Sequence, residues 1–219
     1  MTLKKKNQKG FTIIELMIAT TVFSFILLVT SVGVIAIGRA YYKSVTSTRV
    51  QETARSIIND VSGSLQFSNK EAISRFPADG IPSEIKARCF GSDRYTYVLN
   101  QRVEDGVHAL YRDTRSSEAE STCEPGDFTG GTELLGDNMR LLQFEVSNAD
   151  PFRVVIRIAY GDNDLLTIYD DTGSPVGWND PVDPPEEPVI AGALCKFALA
   201  GNEFCAVAGL ETTVTSRVE

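Results

Sequence analysis

The chain has 219 residues, with 21 Lys and Arg against 29 Asp and Glu, so its formal net charge is −8 at pH 7. This length accommodates one membrane segment and one globular domain. The acidic balance argues against a nucleic-acid partner, because binding to a phosphate backbone needs Lys and Arg to displace counterions.

The first ten residues are basic. Met1–Gly10 contains four lysines (Lys4, Lys5, Lys6 and Lys9) and no acidic residue, so the rest of the chain has a formal charge of −12. A basic head before an apolar stretch places the amino terminus in the cytoplasm by the positive-inside rule. We therefore expect a single-pass protein of the cytoplasmic membrane with an exported acidic C-terminal part.

An apolar stretch follows the basic head. Leu16–Gly38 is 23 residues long and contains no charged side chain. At helical rise it extends about 35 Å, which is enough to cross a hydrocarbon core of about 30 Å. One carboxylate, Glu15, stands at its edge, and a charge at the centre of a bilayer costs about 2.5–3.5 kcal/mol. We expect Glu15 to need a partner that its own chain does not offer nearby.

The helical pattern continues beyond the apolar stretch. Apolar residues recur at steps of three and four and predict one buried stripe, which consists of Val50, Ala54, Ile57, Ile58, Val61 and Leu65. The first proline of the chain is Pro77. The pattern therefore predicts one near-continuous helix from about Thr12 to Leu65, apolar all round at first and apolar on one face later.

After Leu65 the pattern becomes that of short strands and loops. Prolines at 77 and 82 indicate a connecting loop, and residues 173–192 are rich in Pro and Gly and predict an exposed loop. Strands are predicted at Arg94–Arg102, Gly106–Asp113, Leu141–Asn148, Pro151–Gly161, Leu165–Tyr169 and Phe204–Val218. The first two predict a hairpin, and an antiparallel sheet is the simplest partner for the helix stripe.

The four cysteines all lie beyond the apolar stretch. Four cysteines allow three pairings, and we favour Cys89–Cys123 with Cys195–Cys205 because these pairs close local loops. No CxxC spacing occurs and His108 is the only histidine, so we expect no Cys/His zinc site.

No other motif predicts chemistry. The chain lacks GxSxG, P-loop, HExxH and GxGxxG patterns, and we expect neither enzymatic activity nor a cofactor. An acidic run could offer oxygen ligands to Ca²⁺, namely Asp162, Asp164, Asp170 and Asp171, but its spacing does not match an EF-hand loop. We interpret it as a solvated acidic surface.

The string Lys9–Ile18 (KGFTIIELMI) resembles the processing site of type IV prepilins and pseudopilins. The resemblance implies cleavage between Gly10 and Phe11 by prepilin peptidase and N-methylation of Phe11. It also makes Glu15 the fifth mature residue, an assembly residue whose cationic partner would be the terminal amine of a neighbouring subunit. Gln51–Asp60 is similar to the helix of PilW-type minor pilins and of J-type pseudopilins of type II secretion.

The resemblance also implies a domain plan and a fold. Residues 1–10 form a leader peptide, 11–38 the membrane and filament-core half of the helix, 39–65 its amphipathic half, and 66–219 a β-rich head domain. The expected fold is α+β and pilin-like, with a long N-terminal helix packed on an antiparallel sheet and loops tied by disulfides. Many major pilins carry a kinking proline in the membrane half, and none occurs here, which favours a minor subunit.

Three functions fit these features. The first is a structural subunit, a minor pilin, of a type IV pilus, with other pilins and an inner-membrane assembly platform as partners. The second is a pseudopilin of a type II secretion or DNA-uptake system. The third is a membrane-anchored enzyme or binding domain. An ordinary signal peptide cut near Gly38 fits less well, because its apolar region would be too long and Glu15 would have no role.

Overall fold

The computed structural model describes residues 10–68, 73–76, 85–104, 106–115, 123–147, 150–169, 175–176, 192–196 and 201–217. Two compact units divide the chain, Met1–Tyr41 and Tyr42–Glu219. A single helix, α1 (Ile13–Phe67), provides the described structure of the first unit after Thr12 and continues into the second.

Within the first unit, α1 presents large apolar side chains outward all round. Phe25 and Leu28 are typical, with about two thirds of their surface exposed. The most apolar 18-residue window has a mean hydropathy of 2.3 and is not buried by the protein. Hydroxyl groups inside this segment return hydrogen bonds to the helix backbone, for example from Ser31 Oγ to Leu27 O at 2.7 Å. A helix with this surface is suited to a lipid environment. It therefore supports the interpretation of the chain as a single-pass membrane protein.

Within the second unit, α1 buries one face. The buried residues are the predicted stripe, Val50, Ala54, Ile57, Ile58, Val61 and Leu65. The helix ends at Phe67, two residues later than expected, so the prediction of its extent is confirmed to within the usual uncertainty of helix ends.

Antiparallel strands make up the remainder of the described second unit. They are β1 (Ile73–Phe76), β2 (Ile85–Phe90), β3 (Asp93–Val98), β4 (Leu110–Thr114), β5 (Thr132–Glu133), β6 (Met139–Val146), β7 (Phe152–Tyr160), β8 (Leu166–Tyr169), β9 (Pro175–Val176), β10 (Gly192–Cys195) and β11 (Ala206–Val214). The first sheet has the order β1-β2-β3-β4-β5, the second β11-β7-β6, and the third β10-β8-β9. β7 is the centre of the second sheet, in agreement with its apolar sequence.

One hydrophobic core joins the helix stripe to the first and second sheets. It includes Tyr95 from β3, Phe144 from β6 and Ile156 from β7, all nearly or fully buried. The rings of Tyr97 and Phe144 meet edge to face at 5.2 Å between centroids, a preferred geometry for aromatic pairs. The fold is therefore α+β and pilin-like, with a long N-terminal helix packed on antiparallel sheets, as the sequence predicts.

A smaller core lies between the second and third sheets. It consists of Leu142, Ala159, Leu166, Ala193 and Cys205. The structure pairs Cys195 with Cys205 beside this core and Cys89 with Cys123 beside the first sheet. These are the two pairs that the sequence favours, and each ties a loop to a sheet.

The predicted connecting loop at Pro77 and Pro82 lies outside the described residues. The structure has two strands next to it that were not predicted, β1 and β2, which pair with each other from Ile73↔Phe90 to Phe76↔Ala87. The sequence of β2 does not predict a core strand, because it contains a charged residue, Arg88, whose side chain is nevertheless buried. The predicted loop 173–192 contains β9 and the first residue of β10, and its remainder lies outside the described residues.

The predicted hairpin is correct in its pairing and wrong in its bounds. β3 and β4 are antiparallel, with Asp93 opposite Thr114 and Tyr97 opposite Leu110. The first strand ends at Val98 and the second begins at Leu110, so both are shorter than predicted where they face the connection between them. Within this connection Asn100 adopts a φ of 63° and its N–H donates to Leu141 O at 2.7 Å.

Replacing Ile57 by Ala should lower the free energy of unfolding by about 3 kcal/mol, because a nearly fully buried side chain would leave a cavity between helix and sheet. Urea unfolding of the whole chain in detergent micelles, followed by near-ultraviolet circular dichroism, measures this change. The neighbouring exposed substitution Ser56→Ala is the control and should change stability by less than about 0.5 kcal/mol. Equal effects of the two substitutions would contradict burial of the stripe.

Candidate functional site

The predicted processing site lies directly before the helix. Gly10, Phe11 and Thr12 have no helical assignment, and α1 begins at Ile13. Phe11 has 81% of its surface exposed, and no atom of the described residues lies within 4 Å of the position where a side chain on Gly10 would begin. The peptide bond between Gly10 and Phe11 is therefore accessible to an enzyme. The four lysines of the head lie outside the described residues.

Thr12 and Glu15 cap the helix reciprocally. The backbone N–H of Thr12 donates to Glu15 Oε2 at 2.9 Å, and the Thr12 hydroxyl donates to the same oxygen at 2.8 Å. In return, Thr12 Oγ1 accepts a hydrogen bond from the backbone N–H of Glu15 at 3.3 Å. This arrangement is a capping box, in which Thr at the N-cap and Glu three residues later satisfy backbone groups that the first helical turn leaves open.

The capping box corrects one expectation. The sequence suggested that the chain offers Glu15 no partner nearby, whereas Thr12 supplies two donors to it. Both donors bond Oε2, and Oε1 accepts no hydrogen bond from the described part of the chain. The carboxylate can thus stabilise its own helix and still present one oxygen to a cation from outside. In the described residues no salt bridge reaches Glu15.

The capping box lies entirely on the C-terminal side of the Gly10–Phe11 bond. Thr12 N–H, the Thr12 hydroxyl and Glu15 would all remain after cleavage, and Phe11 would carry the new amine. The geometry therefore suits a chain that keeps its helix start before and after removal of a leader.

The acidic run does not form a compact site in the described residues. Asp162 forms an ion pair with Arg102, and Asp164 lies in a short 3-10 turn, Asn163–Leu165. Asp170 and Asp171 lie outside the described residues. No group of three or more potential metal ligands occurs among the residues that the structure describes.

His108 packs in an aromatic cluster. Its ring stacks on Phe128 at 5.3 Å and lies edge-on to Tyr111 at 5.0 Å. Its Nδ1 lies 3.2 Å from Glu133 Oε2, and the Glu133 carboxylate also accepts hydrogen bonds from the backbone N–H groups of Ala109 and Leu110. The hydrogen bonds of Glu133 hold β5 against the start of β4, and the contact between His108 and Phe128 holds the preceding loop there.

A polar cluster that the sequence analysis missed links α1 to the first sheet. Arg112 pairs with Asp60 at 2.5 Å and with Asp93 at 3.0 Å, and Tyr95 Oη donates to Asp60 Oδ2 at 2.9 Å. Ser64 Oγ donates to Asp93 Oδ2 at 2.6 Å. These groups satisfy one another beside a cavity of about 410 Å³. Burial raises the pKa of Tyr95, so its hydroxyl stays protonated and keeps donating.

The sequence alone predicts little of this polar cluster. Asp60 lies on the polar flank of the helix stripe, but its partners are more than thirty residues away. No local spacing links them, and only the folded structure shows that they meet. Because each charge is already paired, the arrangement is that of a structural network.

The N-terminal part of the chain matches a known family model. Residues 5–31 match the family model described as the prokaryotic N-terminal methylation motif. No curated protein and no solved structure matches the chain. The matched residues include Gly10, Phe11 and Glu15, and the match supports a type IV prepilin-like protein.

Replacing Thr12 by Val should open the first helical turn, since it removes one donor to Glu15 and the acceptor of the Glu15 N–H. Loss of such a cap costs about 1 kcal/mol, so the Glu15 amide hydrogen should exchange about fivefold faster. Hydrogen exchange followed by NMR in micelles measures this rate. Thr20→Val, which removes a hydroxyl bonded only to Met17 O, is the matched control and should leave the Glu15 rate unchanged.

Proposed function

We propose that this protein is a structural subunit of a type IV filament, specifically a minor pilin that contributes to assembly or priming of the pilus. The observation that carries the proposal is an accessible Gly10–Phe11 bond directly before a capped apolar helix, within a match to the methylation motif. The helix supports anchoring in the membrane, and the β-rich unit supports a head domain outside it.

Processing is the first step of this proposal. Prepilin peptidase removes residues 1–10 at the cytoplasmic face and methylates the amine of Phe11. Removal of the lysine-rich head takes four positive charges away from a helix that must later pack among other helices. Charge burial without partners is strongly unfavourable, so cleavage precedes packing.

Glu15 is the assembly residue of the proposed subunit. In a bundle of apolar helices, a carboxylate gains about 4 kcal/mol of Coulomb energy from a cation at 4 Å when the effective dielectric constant is 20. The amine of Phe11 on a neighbouring subunit is such a cation. The capping box supports this role because Oε2 bonds Thr12, whereas Oε1 accepts no hydrogen bond from the residues that the structure describes.

A pseudopilin of a type II secretion or DNA-uptake system is the second candidate. It is supported by the same processing site and by the similarity of Gln51–Asp60 to J-type pseudopilins. The two candidates differ in genomic context: genes for a retraction ATPase and a pilus tip favour the first, whereas genes for a secretion channel favour the second. A membrane-anchored enzyme or binding domain is a third candidate, and the match to the methylation motif favours the other two.

Mass spectrometry of the mature protein tests the processing step. Co-expression with a prepilin peptidase should yield a chain that starts at Phe11 and carries one methyl group on its amine. Gly10→Leu, which enlarges the side chain at the cleaved bond, should leave the chain uncut. A mature chain that keeps Met1, or one that starts after Gly38, would refute the proposal.

The role of the Glu15 charge in filament assembly can be tested separately from the role of Glu15 as a helix cap. Glu15→Ala and Glu15→Gln should both be processed, and both should enter filaments about tenfold less than the natural chain, because neither carries the charge. Glu15→Gln keeps an amide oxygen that can accept the Thr12 hydrogen bonds.

The matched control is Thr12→Val, which weakens the cap but keeps the carboxylate. Quantitative immunoblots of sheared filaments measure incorporation of each variant. Normal incorporation of Glu15→Gln, together with loss of Thr12→Val, would assign the assembly defect to the cap and contradict the charge-pairing account.

A further inference from the structure

A short segment of the head, Asn202–Cys205, is fixed to the helix near the start of the second unit. The ammonium of Lys43 donates to Cys205 O at 2.6 Å and to Asn202 O at 3.3 Å. Beside it, the rings of Tyr42 and Phe204 lie 5.5 Å apart with a tilt of 45°. Two successive helix residues thus hold this segment, one through charge and one through an aromatic contact.

The segment is also constrained on its own side. Gly201 adopts a φ of 95° before the 3-10 turn Asn202–Phe204, and Phe204 N–H donates to Gly201 O at 2.8 Å. Cys205 forms its disulfide with Cys195 and is fully buried. Phe204 is therefore held by neighbours on both sides in sequence, yet 45% of its surface remains exposed.

Chain continuity places Tyr42 near the end of the apolar stretch. Tyr42 follows Gly38 by four residues in the same uninterrupted helix, a rise of about 6 Å. Side chains on a helix tilt toward its amino terminus, so the Tyr42 ring covers the turn before its own Cα. The headgroup layer on each side of a hydrocarbon core is about 5–7 Å thick. In a membrane-spanning chain, the Tyr42 ring lies at that level, and Phe204 lies beside it.

We propose that Phe204 and Tyr42 form a lipid-contact surface, through which the segment Asn202–Cys205 rests in the outer headgroup layer of the membrane. Aromatic side chains are enriched at this level because it accepts both apolar surface and polar groups. The hydrogen bonds from the Lys43 ammonium to Cys205 O and Asn202 O hold the segment to the helix beside Tyr42. The inference goes beyond a filament role and depends only on the membrane span.

Tryptophan fluorescence in lipid vesicles tests the surface. Trp178 is the chain's one tryptophan, so Trp178→Phe provides a silent background. In this background, Phe204→Trp places the reporter in the segment, and Phe67→Trp places a matched reporter at the far end of α1. Phe67 is 69% exposed and lies 25 residues beyond Tyr42, about 37 Å along the helix.

The full chain is reconstituted into phosphatidylcholine–phosphatidylglycerol vesicles that contain lipids brominated close to the headgroup. The Phe204→Trp emission should fall about twofold, as expected for an interfacial aromatic group, while the Phe67→Trp emission should be unchanged. Tyr42→Trp is a second reporter with the same expected loss, and it preserves the test if Phe204→Trp perturbs the turn.

The proposal would be overturned if the emission of Phe204→Trp and that of Tyr42→Trp fell no more than that of Phe67→Trp. This outcome is distinguishable from failure of the filament proposal, because the vesicle measurement needs neither cleavage nor other subunits.

Discussion

The helix α1 must satisfy two kinds of surroundings with one uninterrupted backbone. Before residue 42 its apolar side chains are exposed on every side, and from Val50 to Leu65 one apolar stripe is buried against the sheets. The first part gains stability only where lipid or other helices cover it, whereas the second part is covered by its own chain. The processing site and the capping box lie at the start of the first part, and the sheets and the polar cluster pack on the second part.

The features that were predictable from sequence are those with a local period or a local motif. The stripe repeats at helical spacing, and β7 lies within the continuous apolar run of the predicted strand Pro151–Gly161, so both were predicted. β1 and β2 were missed because nearby prolines suggested a loop and because Arg88 is buried despite its charge. The capping box Thr12-Ile13-Ile14-Glu15 is also a local motif, but it was not predicted, because a carboxylate at the edge of an apolar stretch is expected to need a cation.

The contacts that tie the head to the helix could not be predicted. Lys43 and Asn202 are 159 residues apart, and Arg112 meets Asp60 across 52 residues. No spacing rule links such pairs, because they depend on how the strands return to the helix. Burial can be anticipated from one segment at a time, but a polar pair requires the positions of two segments at once.

The Asp60–Arg112 pair has a consequence for how the helix sits on its sheets. Apolar packing is largely non-directional, so a stripe repeated at each turn could slide along the sheet by one turn at modest loss. Such a slide would carry Asp60 about 5.4 Å from its position opposite Arg112 and leave the Asp60 carboxylate without its cation, while Arg112 would keep only Asp93. The polar cluster thus selects one register among several that the hydrophobic core alone would tolerate.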